Sequence, residues 1–125
     1  MSTHLSRYND ALPFACEDGA EIRELLHPKR HGNQAQSLAE ATLYSGQRTA
    51  LHRHQKSEEI YHVLAGQGTM TLGDEHFPIG PGDTVLIPPG TPHCLHNTWP
   101  MELRVLCCCS PAYDPADTEI LSPTP

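Results

Sequence analysis

Hydrophobic and polar residues alternate along much of the chain, in short runs separated by glycine and proline. A period of two is typical of a strand that buries one face and exposes the other. The clearest run starts at Ser37 and stops before Gly46. Its two faces carry Leu38, Glu40, Thr42 and Tyr44 on one side and Ala39, Ala41 and Leu43 on the other.

Comparable patterns predict further strands at residues 51–54, 59–66, 69–72, 84–87, 94–97 and 103–109. Residues 20–26 (AEIRELL) are ambiguous, because their apolar positions also fit one face of a short helix, and we interpret them as an edge strand. We expect a polar loop at residues 29–34 and a turn at residues 76–83.

Composition favours the same all-β reading. The 125 residues include 12 prolines and 9 glycines, which suits short strands joined by turns. We predict one domain, a closed barrel or a sandwich, with a loose N-terminal arm at 1–13, a barrel core at 35–110 and a C-terminal tail at 111–125. In the tail, Asp114 and Pro115 have the spacing of an N-cap and the first residue of a short helical turn.

The charge and the cysteines limit the class of partner. A net charge of −7 disfavours nucleic acid and anionic membranes, so we expect a small-molecule ligand. No apolar run reaches the length of a membrane span, and residues 1–10 lack the apolar segment of a signal peptide. The five cysteines, three of them consecutive, favour reduced thiols and therefore a cytoplasmic protein.

Residues 46–66 (GQRTALHRHQKSEEIYHVLAG) contain a pattern of metal ligands. On a strand, His52 and His54 present two imidazoles on one face. A carboxylate of Glu58 or Glu59, returning on the next strand, can close on the same point. The alternative is a polar strand edge with two solvated histidines and a charged turn.

A second stretch, residues 82–97 (GDTVLIPPGTPHCLHN), completes the pattern. It has glycine, five residues, proline, one residue, glycine, two residues, histidine, three residues and asparagine. The first stretch has glycine, five residues, His-x-His, four residues, glutamate, six residues and glycine. Together they resemble the two sequence motifs of the cupin superfamily, with no position missing.

The resemblance implies a double-stranded β-helix, a small jelly-roll barrel of antiparallel strands with a metal ion inside. It implies four metal ligands: His52, His54, Glu59 and His93. It gives the other motif positions structural roles: Gly46, Gly66, Gly82, Pro88, Gly90 and Asn97. It also implies a homodimer.

Strand parity agrees with this ligand set. Glu59 shares an inward face with Tyr61 and Val63, whereas Glu58 faces the other way and remains the alternative if a bulge shifts the register. His62 and His96 have the wrong parity to join the site. We expect the pocket to be lined by Tyr61, Val63 and Cys107, with packing as the simpler role for the cysteine triplet.

Three neutral imidazoles and one carboxylate give a divalent ion a local net charge of about +1. The mixed nitrogen and oxygen donors suit one divalent transition metal ion, whether Mn, Fe, Ni, Co, Cu or Zn. An ion that prefers six ligands would keep two positions for water, dioxygen or a chelating substrate.

These features lead to two functional hypotheses. The first is a metal-dependent enzyme that acts on a small oxygen-rich molecule, as an oxygenase or as an isomerase, lyase or decarboxylase with the metal as Lewis acid. The second is a non-catalytic binding or sensor module that uses the metal to hold its ligand. The sequence assigns no catalytic residue beyond the metal ligands.

Overall fold

The computed structural model describes residues 4–122. Residues 1–3 of the predicted arm and residues 123–125 of the predicted tail lie outside the described part of the chain.

The described residues form eleven strands. In chain order these are β1 (Phe14–Ala15), β2 (Glu21–Leu26), β3 (Ser37–Leu43), β4 (His52–His54), β5 (Glu58–Ala65), β6 (Gly68–Leu72), β7 (Glu75–Ile79), β8 (Thr84–Ile87), β9 (His93–His96), β10 (Leu103–Ser110) and β11 (Thr118–Ile120). The remaining elements are one turn of α-helix, α1 (Pro28–His31), and two 3-10 turns, Tyr8–Asp10 and Pro115–Asp117.

The strands pair into two antiparallel sheets. One has the order β1-β2-β3-β10-β5-β8 and the other the order β11-β4-β9-β6-β7. From β3 to β11 the chain passes repeatedly from one sheet to the other, as expected of a jelly roll. The prediction of an all-β barrel of antiparallel strands is confirmed. The short C-terminal turn is confirmed as well, since the Asp114 side chain accepts a hydrogen bond from Ala116 N.

The core lies between the two sheets. Along β5 and β10 every second residue is buried, which is the alternation expected of half-buried strands. Both sheets contribute apolar side chains to one continuous cluster, including Leu43, Val63, Met70, Ile79, Ile87, Leu95, Leu103 and Val105.

Two local predictions were wrong. Part of the turn predicted at residues 76–83 belongs to β7, which lies at the edge of its sheet, where a proline such as Pro78 is tolerated. The polar loop predicted at residues 29–34 begins inside α1. This helix forms because the His27 side chain caps it by accepting from Lys29 N, and because Pro28 suits its first position.

The N-terminal segment is not a loose arm where it is described. The guanidinium of Arg23 donates to the carbonyls of Tyr8 at 2.9 Å and Ala11 at 2.8 Å. The Tyr8 hydroxyl donates to the buried carboxylate of Glu40, which also accepts from Arg104 at 2.7 Å. Because a buried carboxylate needs such partners, Glu40 ties the segment to the outer face of the sheet.

The barrel also extends beyond the core predicted at residues 35–110. β2 pairs with β3, and β11 pairs with β4. The strand predicted at residues 20–26 is present, but it is not the edge of its sheet, because β1 pairs with it.

We predict that alanine is far less tolerated at Gly66 than at Gly46. Both glycines have positive φ, 88° and 81°, so each alanine should cost roughly 1–2 kcal/mol in free energy of unfolding from backbone strain. At Gly66 an added Cβ would also overlap the Glu102 carbonyl oxygen and lie 2.8 Å from Leu103 Cα, whereas at Gly46 it meets nothing within 4 Å. Urea unfolding of both variants should show the larger loss for Gly66→Ala. Equal losses would contradict the steric cause.

Candidate metal centre

Three buried histidines meet inside the barrel. β4 contributes His52 and His54, whose side chains point to the same face. β9 begins at His93, directly opposite His52 in the ladder between the two strands. One ring nitrogen from each of the three lies within 4.8 Å of the others.

Backbone carbonyls orient two of these rings. His52 Nδ1 lies 2.7 Å from the Ala50 carbonyl oxygen, and His93 Nδ1 lies 2.9 Å from that of Thr91. A carbonyl oxygen only accepts, so both Nδ1 atoms carry the proton. In the neutral ring, Nε2 is then left with a free lone pair, as in a histidine prepared to bind metal.

The third ring, His54, is oriented through a hydroxyl. Its Nδ1 lies 2.9 Å from Thr118 Oγ1 on β11, and that hydroxyl donates to the Asp114 carbonyl at 3.0 Å. Since the hydroxyl proton is used, Oγ1 accepts from His54 Nδ1. The tail therefore gives His54 the same tautomer as the other two histidines.

Glu59 approaches this cluster from β5. Its Oε1 atom lies 3.1 Å from His54 Nε2 and 3.4 Å from His93 Nε2. Glu59 is 5% exposed, and neither its Oε1 nor His93 Nε2 has a hydrogen-bond partner. Buried polar atoms are rarely left in this state unless a ligand or ion completes them. Three imidazole nitrogens and a carboxylate oxygen are donors that fit a divalent metal ion.

The electrostatics of the cluster favour a cation. Burial raises the pKa of Glu59, but hydrogen bonds and positive charge from the His54 and His93 rings, when these are protonated, outweigh it and lower the pKa to about 2. Burial, followed by the neighbouring His93, lowers the pKa of His52. Neutral imidazoles with free Nε2 lone pairs would face the Glu59 anion unfavourably. A positive charge between them, from a proton or a metal ion, removes that conflict.

The second oxygen of Glu59 is held by a cysteine that the sequence did not single out. Cys109 is 2% exposed, lies opposite Glu59 in the ladder between β10 and β5, and donates its S–H to Glu59 Oε2 at 3.3 Å. Burial, and then the charge of Glu59, raises the pKa of the Cys109 thiol, which keeps it protonated as a donor. Cys107 and Cys109 share the buried face of β10, and strand parity alone does not tell which of them contacts Glu59.

A cavity of about 70 Å³ opens beside the cluster, which is room for several water molecules. Tyr61 and Cys107 line it, and the Tyr61 ring lies 5.9 Å from that of His93. Burial is the largest cause that raises the pKa of both groups, so both stay protonated. Val63, predicted to line the pocket, faces inward but packs in the hydrophobic core instead.

Sequence reasoning also missed Asp18, in the turn between β1 and β2. Its Oδ2 atom lies 3.6 Å from His52 Nε2, and the residue lines the cavity. No spacing rule connects Asp18 with the two histidine motifs.

The other candidates lie outside the cluster. Glu58 is exposed and points away from Glu59, so no bulge exchanges the two. His62 is half-buried, with Nδ1 beside Thr84 Oγ1 at 2.8 Å, and His96 is half-buried at the end of β9.

The remaining motif residues lie in turns around the cluster. Asn97 is fully buried, donates from Nδ2 to the carbonyls of Leu43 and Met101, and accepts from Trp99 N. The turn from Pro88 to Gly90 follows β8 and reaches β4, where Gly90 N donates to the His54 carbonyl at 2.7 Å. Gly82 precedes β8 with φ 87°.

Similarity to known proteins agrees with this architecture. A family model described as a cupin domain matches residues 39–109. An uncharacterized protein of Methanocaldococcus jannaschii is 48% identical over 116 residues, 93% of this chain and 93% of that protein. The chain therefore belongs to the cupin family, and the resemblance seen in the sequence is confirmed.

Two further similarities involve proteins of Thermotoga maritima. Its oxalate-binding protein is 31% identical over 86 residues, 69% of this chain and 71% of that protein. A crystal structure described as a predicted oxalate decarboxylase has a TM-score of 0.75 and 26% identity, covering 85% of this chain and 97% of that one.

No helix among residues 4–122 has the length and apolar character needed to cross a membrane.

We predict that Cys109→Ala destabilises the metal-free protein more than Cys107→Ala does. Both cysteines are buried on the same face of β10, but the Cys107 thiol lies 4.0 Å from the Val105 carbonyl and does not contact Glu59. Losing a hydrogen bond to a buried carboxylate should cost about 1–3 kcal/mol in free energy of unfolding, beyond the lost packing. Urea unfolding with chelator present measures both, and Cys109→Ser should recover part of the loss. Similar losses for the two alanine variants would contradict the role of the thiol.

Proposed function

We propose that this cupin is a metal-dependent enzyme that acts on a small, oxygen-rich molecule. In this proposal His52, His54, Glu59 and His93 hold one divalent transition metal ion. The observation that supports it most directly is the convergence of three correctly protonated imidazoles on a buried carboxylate oxygen without a hydrogen-bond partner.

When bound, such an ion supplies Lewis acidity or redox chemistry to a coordinated oxygen. The donor set accepts Mn, Fe, Ni, Co, Cu or Zn. The chain's own contribution is a largely apolar pocket. The alternating strands supply apolar side chains around the cluster, and protonated Tyr61 and Cys107 add no charge.

The charges of the pocket argue for a ligand held through the ion. Asp18, Glu24 and Glu59 line the cavity, and no lysine or arginine of the described chain does so. An oxygen-rich ligand therefore finds no cationic side chain, and the metal ion has to attract it. A small molecule with oxygen donors suits such a site, and a relative is named as an oxalate-binding protein.

The name of this relative, an oxalate-binding protein, favours a second candidate function. In it the protein is a non-catalytic module that holds a small ligand through the metal. The fold hosts both kinds of function. Within the enzyme hypothesis, oxygenase chemistry and isomerase, lyase or decarboxylase chemistry both stay open.

We predict that the wild-type protein binds one metal ion and that His54→Ala and Glu59→Gln lose it while remaining folded. Removing a ligand should weaken metal affinity by well over tenfold, because even residues behind the ligands contribute about 10–100-fold. The matched control is His62→Ala, since His62 lies on the outer face of the same strand as Glu59. Metal analysis after dialysis and circular dichroism measure the two properties. Full occupancy in both ligand variants would refute the assignment.

We also predict that oxalate, used as a probe, binds the metal-loaded protein and not the chelator-treated protein, because the pocket lacks cationic side chains. Calorimetry measures the binding. Chemical assay of the oxalate after incubation separates the two candidate functions. Loss of oxalate supports an enzyme. Recovery of all the oxalate once the metal has been removed supports a binding module for this ligand. Equal binding without metal would contradict both.

The predicted homodimer and cytoplasmic location remain predictions. The outer face of β5 and β8 exposes Ile60, Leu64 and Leu86, with Ile60 and Leu86 adjacent across the ladder. Such neighbouring apolar side chains favour coverage by a second chain, and light scattering of the purified protein should give twice the mass of the chain. All five cysteines are free, as expected of a reducing compartment.

A further inference from the structure

We propose that Asp18 is a fifth protein ligand of the metal ion, and that its charge selects against doubly charged anions as ligands of the site. This inference rests on the proposed metal site and goes beyond its four motif residues. It starts from the position of one carboxylate oxygen, Asp18 Oδ2, 3.6 Å from His52 Nε2.

The position of Asp18 is fixed by its own turn and by Ala50, just before β4. Asp18 Oδ1 accepts from Ala20 N at 3.0 Å, and the turn is closed by Cys16 N donating to the Ala20 carbonyl at 2.8 Å. The Asp18 carbonyl accepts from Ala50 N at 2.8 Å, and the Ala50 carbonyl in turn accepts from His52 Nδ1. Ala50 therefore positions Asp18 and His52 relative to each other, through its N–H and its carbonyl. This leaves Oδ2 directed to the Nε2 side of the ring.

Taken pair by pair, the distances fit two ligands of one ion. Two ligand atoms at about 2.1 Å from a metal are roughly 3.0 Å apart when they subtend 90°, and roughly 3.6 Å apart near 120°. The distances from Glu59 Oε1 to His54 Nε2 and His93 Nε2 are 3.1 Å and 3.4 Å, and the distance from Asp18 Oδ2 to His52 Nε2 is 3.6 Å. All three distances lie in this interval.

The two carboxylates contact different histidines of the cluster. Glu59 contacts His54 and His93, whereas Asp18 contacts His52. The buried Glu59 Oε1 and His93 Nε2 atoms, which lack hydrogen-bond partners, point independently to a ligand at this place. The Asp18 side chain is 14% exposed, so its negative charge is only partly hydrated.

This second carboxylate changes the charge of the centre. A divalent ion with Glu59 alone has a local net charge of about +1, and with Asp18 as well it has about zero. A neutral centre attracts a dianion less strongly than a cationic one, and a fixed negative charge beside the ion repels it. With five protein ligands, an ion that prefers six keeps one position for a ligand. The site with Asp18 therefore suits a neutral or singly charged ligand bound through one oxygen better than a chelating dicarboxylate.

The test compares Asp18→Asn with Glu58→Gln, since each removes one negative charge and the exposed Glu58 side chain faces away from the cluster. Asparagine can keep the hydrogen bond from Ala20 N, so the turn is retained. The full chain, freed of metal, is titrated with Co²⁺, and the visible absorption of the bound ion is recorded. Oxalate is then titrated into the Co²⁺-saturated proteins.

For Asp18→Asn we expect Co²⁺ affinity at least about tenfold weaker than in the wild type, a changed Co²⁺ spectrum, and oxalate affinity at least about tenfold tighter. Glu58→Gln should match the wild type within about twofold. An Asp18→Asn variant too weak to saturate with Co²⁺ also supports the ligand role. Unchanged Co²⁺ affinity and spectrum would overturn it, as would equal effects of the two substitutions. Failure of the wild-type protein to bind Co²⁺ would instead overturn the proposed function, before any variant is compared.

Discussion

The charge of Glu59 is the constraint on which the rest of the site depends. The barrel removes this carboxylate from water, and a buried charge is costly unless another charge or hydrogen bonds compensate it. The groups that face Oε1 are the Nε2 atoms of His54 and His93, and their tautomers present lone pairs there when the rings are neutral. A positive charge at this point, from a proton or a metal ion, makes the arrangement favourable.

Strand register brings the side chains of the cluster together at this point. The pairing of β4 with β9 sets His52 opposite His93, and the pairing of β10 with β5 sets Cys109 opposite Glu59. The C-terminal strand then supports the cluster, because β11 brings Thr118 behind His54. The site therefore depends on segments that the two histidine motifs do not include. A fixed array of this kind loses little conformational entropy when a ligand binds.

Much of this arrangement follows from local pattern. The parity of β4 and β5 separates Glu59 from Glu58 because the side chains of a strand alternate strictly. The same rule could not tell that Val63 packs in the core while Tyr61 reaches the cavity, since both face inward. β7 was missed because Pro78 among glycines has the signature of a turn. The arm was misjudged because its hold on Glu40 comes from side chains distant in sequence.

By itself, the sequence determined the alternation of faces, the spacing of both motifs and, through them, the family and the inward direction of the three histidines and Glu59. The tertiary structure decided which inward side chains meet. Cys109 rather than Cys107 reaches Glu59 across 50 positions, and Thr118 reaches His54 across 64. Parity is a property of one strand and can be recognised from the local sequence. Contact between strands depends on register and on how two sheets pack, which no single segment encodes.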